Sequence, residues 1–157
     1  MQLLDMADNV NISVPEGTLL NPIPEVAAAL VCQVLVTDFF TRSKTLANVF
    51  SILQTPVLPA FTNLGLFVKM IDGEGAYKLR IRFVRLRDDK TILELPIQQV
   101  TWPNRLEPIE FGVNFQQVPI EEEGMHEFQV FMDDVYVGRS PFAVKKTTPP
   151  NQTGGKI

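Results

Sequence analysis

The residue types that most often do chemistry are scarce in this chain, because histidine and cysteine occur once each. His126 begins an apolar strand pattern that continues through Phe128, and no Gly-x-Ser-x-Gly turn exists to present a nucleophilic serine. Cys32 lies inside an apolar run without a basic neighbour, a setting that raises the pKa of a thiol and makes it inert. We therefore expect both residues to be structural and the chain not to be an enzyme.

Acidic residues form clusters at 88–89, 121–123 and 133–134, where turns are predicted. None of these clusters has the Asp-x-Asp-x-Asp-Gly spacing that directs several oxygens at one calcium ion, and one Cys with one His cannot build a zinc site. Residues 72–75 contain two glycines, but they join two strand patterns and carry two carboxylates that would repel a phosphate. The sequence predicts solvated turns at these positions, with no metal and no cofactor.

Charge is distributed unevenly along the chain. Residues 76–90 hold six basic and two acidic side chains, a net +4, whereas residues 105–134 hold one basic and eight acidic side chains, a net −7. One explanation is that these charges pair across neighbouring strands, at a few tenths of a kcal/mol per pair. The other is that Lys78, Arg80 and Arg82, which project about 6.5–7 Å apart from one strand face, dock an acidic protein partner or a second copy of the chain.

Some large apolar residues fall on the strand faces predicted to meet solvent: Phe67, Ile71, Phe131 and the turn residues Phe39-Phe40. They either fill space under loops or mark an interface, as exposed apolar patches usually do. Trp102 raises the same question, because interface cores favour aromatic residues. The partner-binding site predicted from the sequence consists of Lys78, Arg80, Arg82 and Trp102.

The elements that position these residues are predicted to be strands. Residues 29–36 are apolar at both parities, as in a strand that is buried on both faces or lies at the centre of a sheet. Residues 45–54 also fit helical spacing, but their Val, Phe and Ile content and two following prolines favour a strand. Residues 64–70 and 77–83 alternate on either side of the glycines at 73 and 75, which predicts a β-hairpin. After Phe83 the alternation of apolar and polar residues shifts by one position, which predicts a β-bulge or a bend in the strand.

Further strand patterns cover residues 91–95, 109–116, 127–132 and 135–144, and no long amphipathic helix separates them. Together they predict an all-β fold, an antiparallel two-layer β-sandwich of immunoglobulin-like type with about 7–9 strands. The predicted organisation is a proline-containing N-terminal lead-in at 1–26, a sandwich domain at 27–146 and a disordered C-terminal tail at 147–157.

Composition narrows the classes of partner and the compartment. The net charge of −4 disfavours nucleic-acid binding, and no apolar run reaches the ~18 residues that a membrane-spanning helix needs. Residues 1–11 contain no lysine or arginine, so they lack the basic start of a signal peptide. A single cysteine fits a reducing compartment. We expect a cytoplasmic protein with neither a nucleic-acid nor a membrane partner.

Four segments resemble a family of short, uncharacterised bacterial β-sandwich proteins of immunoglobulin-like type: residues 29–32, 46–50, 73–80 and 141–144. The likeness extends over about residues 27–146. Members of that family tend to carry a glycine near position 48, where this chain has Asn48. The resemblance implies a cytoplasmic protein of a bacterium or phage, and it implies no catalytic or binding residues.

The sequence as a whole favours a non-catalytic protein-interaction or scaffold module that binds another protein or self-associates. The alternative is a small-ligand or carbohydrate-binding β-sandwich domain. Such domains usually bind sugars with a row of exposed Trp and Tyr, and this chain offers only Trp102, Tyr77 and Tyr136 for that row.

Overall fold

The structure is a computed structural model that describes residues 20–148, and within this range the chain forms ten β-strands and no helix. The predicted all-β class is confirmed. The strands are β1 (Glu25–Thr37), β2 (Lys44–Val49), β3 (Ile52–Thr55), β4 (Ala60–Ile71), β5 (Gly75–Arg85), β6 (Lys90–Glu94), β7 (Gln98–Trp102), β8 (Ile109–Ile120), β9 (Gly124–Met132) and β10 (Val135–Lys146).

The strands form a two-layer sandwich. One sheet has the order β2-β1-β4-β8, and the other has the order β3-β10-β9-β5, with β6 and β7 sharing the far edge of β5. The pair β3–β10 is parallel, and the other pairs are antiparallel. β1, β4 and β8 correspond to strands A, B and E of an immunoglobulin sandwich, and β10, β9 and β5 correspond to G, F and C. The predicted immunoglobulin-like sandwich is therefore confirmed, with one parallel pair and one strand more than the upper end of the predicted range.

The core lies where the two sheets face each other. Every second residue of β4 from Leu64 to Met70 is fully buried, and so are the facing residues of β5, β9 and β10. The ring of Phe83 stacks on those of Phe128, at 4.7 Å between centroids, and Phe142, at 5.7 Å. The predicted slip after Phe83 is confirmed by a register shift between Phe83 and Val84 in the pairing with β6.

The predicted hairpin at 64–83 is wrong, although both of its strands exist. β4 lies between β1 and β8 in one sheet, and β5 lies in the other sheet beside β9, so the turn carries the chain across the core. Gly73 permits this crossing, because a Cβ at that position would lie 2.0 Å from Cε3 of Trp102. Alternation identifies the buried face of each strand, but it does not identify the neighbouring strand.

The predicted strand at 45–54 is divided between the two layers. β2 pairs with β1 in one sheet, and β3 pairs with β10 in the other. The transition occurs at Phe50 and Ser51, since the Phe50 N–H donates to the Val31 carbonyl while the Ser51 carbonyl accepts from Ala143. Shortly before it, Asn48 has a φ of 55°. Asparagine tolerates this left-handed conformation better than most residues other than glycine.

Residues 29–36 form a central strand, as one of the two alternatives predicted, because β1 lies between β2 and β4; the other alternative, burial on both faces, is wrong. Leu30, Val34 and Val36 are exposed, because the outer face of this sheet is open to solvent along β1. Leu35 is buried differently: its backbone N–H donates to Oδ1 of Asn114 and its carbonyl accepts from Nδ2 of the same side chain. Its side chain covers Gly112, where a Cβ would lie 2.5 Å from the Leu35 methyl carbons. The far end of the β1–β2 hairpin is therefore fastened to the outer surface of β8.

The N-terminal boundary differs slightly from the predicted one. β1 begins at Glu25, inside the predicted lead-in, and the residues before it also contact the domain. Asn21 donates a hydrogen bond from Nδ2 to the Ala76 carbonyl, and the Pro22 carbonyl accepts one from the Tyr77 hydroxyl. The remaining lead-in at 1–19 and the tail from 149 onward lie outside the described residues.

Candidate functional site

The predicted basic row lies on the outer face of the larger sheet. The guanidinium carbon of Arg80 lies 4.2 Å from the centroid of the Phe131 ring, a cation–π contact. Nη1 of Arg80 lies 3.3 Å from Oε1 of Glu94, and Nε lies 3.7 Å from Oδ1 of Asp134, beyond hydrogen-bond distance. Arg80 thus covers Phe131, whose ring also meets Tyr136 edge-on. Phe131 is half-buried and fills the space beneath these side chains.

Arg82 has partners within its own chain as well. Nη2 lies 2.8 Å from Oδ1 of Asp89, and Nε donates to Oε1 of Gln129 at 2.8 Å. The side chains of Arg80 and Arg82 retain only 25% and 22% of their exposure. Lys78 is exposed, and its backbone N–H donates to Oδ1 of Asp133. The geometry therefore favours charge pairing across the sheet for the two arginines and leaves Lys78 as the accessible cation of the row.

The basic and acidic segments of the sequence meet again at the end of the sandwich. Arg85 is buried, and it donates from Nη2 to Asp88 at 2.6 Å and from Nη1 to Glu121 at 3.1 Å. Arg87 binds Glu122 through two hydrogen bonds. These contacts, with Asp88 as the strongest, raise the pKa of Arg85, and the hydrogen bond from Arg85 lowers the pKa of Asp88. This ionic cluster joins the β5–β6 turn to the β8–β9 turn.

The structure places Trp102 in the core and not at a partner-binding surface. The residue is 1% exposed, and its indole Nε1 donates to the Glu107 carbonyl at 2.8 Å. Its ring packs on Gly73 and meets Tyr77 at 6.2 Å between centroids. The exposed position assumed for Trp102 was therefore wrong, because the loop crossing from β4 to β5 covers the ring.

The lone histidine and cysteine are both fully buried. Nδ1 of His126 lies 3.1 Å from the Gly124 carbonyl, and Nε2 has no hydrogen-bond partner among the described residues. Burial lowers the pKa of His126, and the charge of Arg85 lowers it further, so the ring is held neutral. Burial also raises the pKa of the Cys32 thiol, which donates to the Val34 carbonyl. Both environments are those of structural residues.

One surface that the predicted site omitted is the tip of the β1–β2 hairpin, residues 38–43. Oδ1 of Asp38 accepts from the backbone N–H groups of Phe40, at 2.9 Å, and Thr41, at 2.7 Å. The backbone of Asp38 also bonds Arg42 and Ser43, which closes the turn. The hydrogen bonds from Thr41 lower the pKa of Asp38. This hairpin tip is therefore closed by its own polar groups.

The two residues that the hairpin tip presents are phenylalanines. Phe39 is 79% exposed and Phe40 is 89% exposed, and their rings meet edge-on at 5.3 Å. Of the two explanations that the sequence left open for this pair, the structure excludes filling beneath a loop. The sequence feature that could have identified this surface is an aromatic pair next to the turn residues Thr41 and Ser43.

A second omitted feature is an apolar groove between the two sheets, where β7 and β8 form the open edge of the sandwich. Its volume is ≈ 430 Å³, and it is lined by Leu79, Leu95, Gln98, Gln99, Val100, Ile109, Phe111 and Val113. Because β8 is the last strand of its sheet, the inward-facing side chains of its first half remain only half-buried. The sequence shows these residues as ordinary core residues, since alternation does not reveal that a strand lies at an edge.

The hairpin tip and the groove both adjoin the start of β8, on opposite faces of that strand. Residues 41–44 share a crevice with Pro108 and Glu110, at the outer side of the start of β8. Ile109, between these two residues, faces inward and lines the groove. A protruding aromatic element and a recessed apolar element therefore lie on either side of one short stretch of β8.

The features expected of other kinds of site are sparse. Among the described residues no group of three or more His, Cys, Asp and Glu side chains is arranged to hold a metal ion. Of the tryptophan and tyrosine residues considered for a sugar-binding row, Trp102 and Tyr77 are buried and Tyr136 is 50% exposed. Nor does any helix in residues 20–148 have the length and apolar character to cross a membrane.

Solved structures similar to this chain include an immunoglobulin-like protein from Pseudomonas aeruginosa, at 12% identity and a TM-score of 0.44, which covers 79% of this chain and 98% of that protein. An alkylpurine DNA glycosylase from Pseudomonas fluorescens, bound to DNA containing an abasic site analogue, is similar at 10% identity and a TM-score of 0.45 over 78% of this chain and 30% of the enzyme. A β-glucosidase from Listeria innocua matches at 12% identity and a TM-score of 0.39, over 62% of this chain and 15% of the enzyme.

Curated proteins give no significant match. A family model matches residues 27–145, nearly the whole of the sandwich and three-quarters of the sequence. That family is described as one of unknown function. On the strength of this match, the chain belongs to the DUF6941 family.

Proposed function

We propose that this chain is a non-catalytic protein-interaction module whose binding element is the hairpin tip. The observation that carries the proposal is the exposure of Phe39 and Phe40 at a turn that hydrogen bonds hold closed. Two adjacent, highly exposed phenylalanines contribute nothing to the core of their own domain. Large aromatic residues are enriched at the centres of protein interfaces and supply much of the binding energy there.

The construction of the hairpin tip supports a binding role. An aromatic side chain has few rotatable bonds, so it loses little conformational entropy when a partner covers it. The turn around Phe39 and Phe40 is already ordered by Asp38, and Asn114 fastens the hairpin at Leu35. The binding element is therefore pre-organised, which lowers the entropic cost of association.

The basic row contributes less to this proposal than the sequence suggested. Arg80 and Arg82 would have to exchange partners such as Glu94 and Asp89 before they could bind an acidic protein. Lys78 needs no such exchange, and it lines a shallow crevice with Ile97 and Asp133. We regard Lys78 as a secondary contact and the hairpin tip as the primary one.

The absence of catalysis and the cytoplasmic location remain part of the proposal. The neutral, buried state of His126 and the raised pKa of the Cys32 thiol support a structural role for both residues. A buried, unpaired thiol also suits a reducing compartment. The resemblance to bacterial β-sandwich proteins supports a bacterial host.

The proposal is tested by affinity capture from bacterial lysate with the tagged chain and with a variant carrying both Phe39→Ser and Phe40→Ser. We expect the double variant to lose at least about 90% of a stoichiometric partner, because it removes two aromatic anchors. Phe61→Ser is the matched control, since Phe61 is 69% exposed and lies at the start of β4. Equal recovery with all three proteins would refute a role for the hairpin tip.

A second candidate function is binding of a small apolar ligand, and the groove between the sheets favours it. Its volume of ≈ 430 Å³ falls within the roughly 300–1,000 Å³ typical of small-molecule sites. Its lining suits an acyl chain or an aromatic compound better than a sugar, because all of its side chains except those of Gln98 and Gln99 are apolar. A fluorescent apolar probe that binds a monomeric chain would favour this candidate over the first.

A further inference from the structure

The groove between the sheets is large enough for the two rings that the hairpin tip presents. A cavity of about 150 Å³ holds one benzene ring in a protein core, so two rings need about 300 Å³. The groove measures ≈ 430 Å³, and its wall is formed mainly by aliphatic side chains and Phe111. The recess thus matches the protrusion in size and in apolar character.

The hairpin tip does not occupy the groove of its own molecule, because both of its phenylalanines are largely exposed. It does lie beside that groove, across the start of β8. Because β8 is the edge strand of its sheet, the protrusion and its matching recess adjoin one edge of the sandwich, and a twofold axis beside that edge can bring each protrusion into the recess of the other copy.

Charges of both signs lie around the start of β8. Arg42 and Lys44 follow the phenylalanines and share a crevice with Glu110, and Glu107 precedes the strand in the sequence. Within residues 20–148, none of these four side chains takes part in an ion pair. They remain available to pair across an interface, at its solvent-exposed rim, where such pairs favour one orientation.

From these observations we infer that the chain forms a twofold dimer in which Phe39 and Phe40 of each copy occupy the groove of the other. The inference rests on the proposed function, because it uses the same hairpin tip, and it names the partner as a second copy. Each of the four phenylalanines buries about 150–250 Å² of its own surface, and the groove walls lose an equal area beneath it. The total area removed from solvent is then about 1,200–2,000 Å². That area is typical of a stable, specific interface.

The test is sedimentation velocity of the purified full-length chain over about 1–200 μM, the range in which a micromolar dimer dissociates. We expect the wild-type chain and Phe61→Ser to dimerise equally. The variant with Phe39→Ser and Phe40→Ser should dimerise at least about 100-fold more weakly. Gln98→Trp is the groove variant, because Gln98 faces the groove opposite Leu79 from an exposed position. It should also weaken the dimer.

A mixture of the hairpin-tip variant and the groove variant provides a stricter measurement. Neither variant can form a tip–groove contact with itself, but the mixed pair retains one intact contact of the two. The mixture should therefore contain a heterodimer that neither variant forms alone. Its absence from a mixture of well-folded variants would count against the twofold arrangement.

Three other results would overturn the inference. The first is a chain that stays monomeric throughout the concentration range. The second is a dimer that survives loss of both phenylalanines or filling of the groove. The third is a monomer that binds the apolar probe 8-anilinonaphthalene-1-sulfonate unless the groove is filled, which would make a small ligand the occupant. A monomer that still captures a protein through Phe39 and Phe40 would leave the proposed function intact while removing this inference.

Discussion

His126 illustrates how a single side chain links the interior of this molecule to pH. Its ring packs beside those of Phe83 and Phe142, at 5.7 and 6.1 Å between centroids, with Arg85 and Glu122 as the charged groups that act on it. Burial is the largest influence, and it lowers the pKa of His126 below the ordinary value of 6.5. The unfolded chain therefore binds a proton at a higher pH than the folded chain does, and folding stability rises with pH in this range.

We predict that the free energy of unfolding decreases as the pH falls from about 7.5 to 5.5, by at most about 1.4 kcal/mol per pH unit. The stability that neutral His126 contributes is fully present above pH 6.5 and is lost progressively below it, until the folded pKa is reached. His126→Phe keeps an aromatic ring in the stack and should remove this dependence. Urea titrations of both proteins at three pH values measure it, and parallel pH profiles would contradict it.

At the scale of elements, alternation located the strands, but it did not locate their neighbours. The buried faces of β4 and β5 were predicted correctly, whereas their pairing was not, because the pattern of a two-strand crossing is the same as that of a hairpin. The chain changes sheet near Asn48 and Phe50, whereas β-propensity predicts one continuous strand through these residues. The exposed pair in the hairpin tip was visible in the sequence, but the groove was not, since edge positions follow from topology.

The loop between β4 and β5 provides a test of the crossing. In Gly73→Ala the new methyl group would collide with the rigid indole of Trp102, which cannot move without disturbing Tyr77 and the bond to Glu107. We expect a loss of about 1–3 kcal/mol in the free energy of unfolding, as for overpacked cores. Glu74→Ala in the same loop is exposed and should change stability by less than about 0.5 kcal/mol. Similar Tm values for both variants would show that the loop yields easily.

At the scale of the whole molecule, the ionic cluster around Arg85 closes one end of the sandwich. It joins a turn within the larger sheet to the turn that leads from β8 to β9, that is, from one sheet to the other. The pKa values of Asp88 and Glu121 are both lowered in the folded chain by hydrogen bonds from basic side chains. The stability that these carboxylates contribute is present above their unfolded pKa values and is lost as the pH falls toward the folded ones.

The molecule should accordingly lose stability in two separate steps on acidification, one below pH 6.5 from His126 and one below about pH 4 from the cluster carboxylates. Arg85→Met should lower Tm at neutral pH and weaken the acid step, because the carboxylate pKa values return toward normal. It should also raise the pKa of His126, whose cationic neighbour is lost. Arg105→Met serves as the control and should preserve both steps, because Arg105 and its partner Asp72 are both more than half exposed and their Nε and Oδ1 atoms lie 3.8 Å apart. A Tm profile from pH 2 to 8 that is unchanged in Arg85→Met would contradict this account.

The hairpin tip also bears on how such a protein can change over evolutionary time. Asp38 closes the turn through its own carboxylate and backbone, without using the side chains of Phe39 or Phe40. Under the proposed function, mutations at these two positions should therefore alter which partner surface the protein binds, at little thermodynamic cost to the fold. Positions of this kind are evolvable: lineages can retarget the same scaffold by drift in two codons, while selection for folding acts on the sandwich beneath.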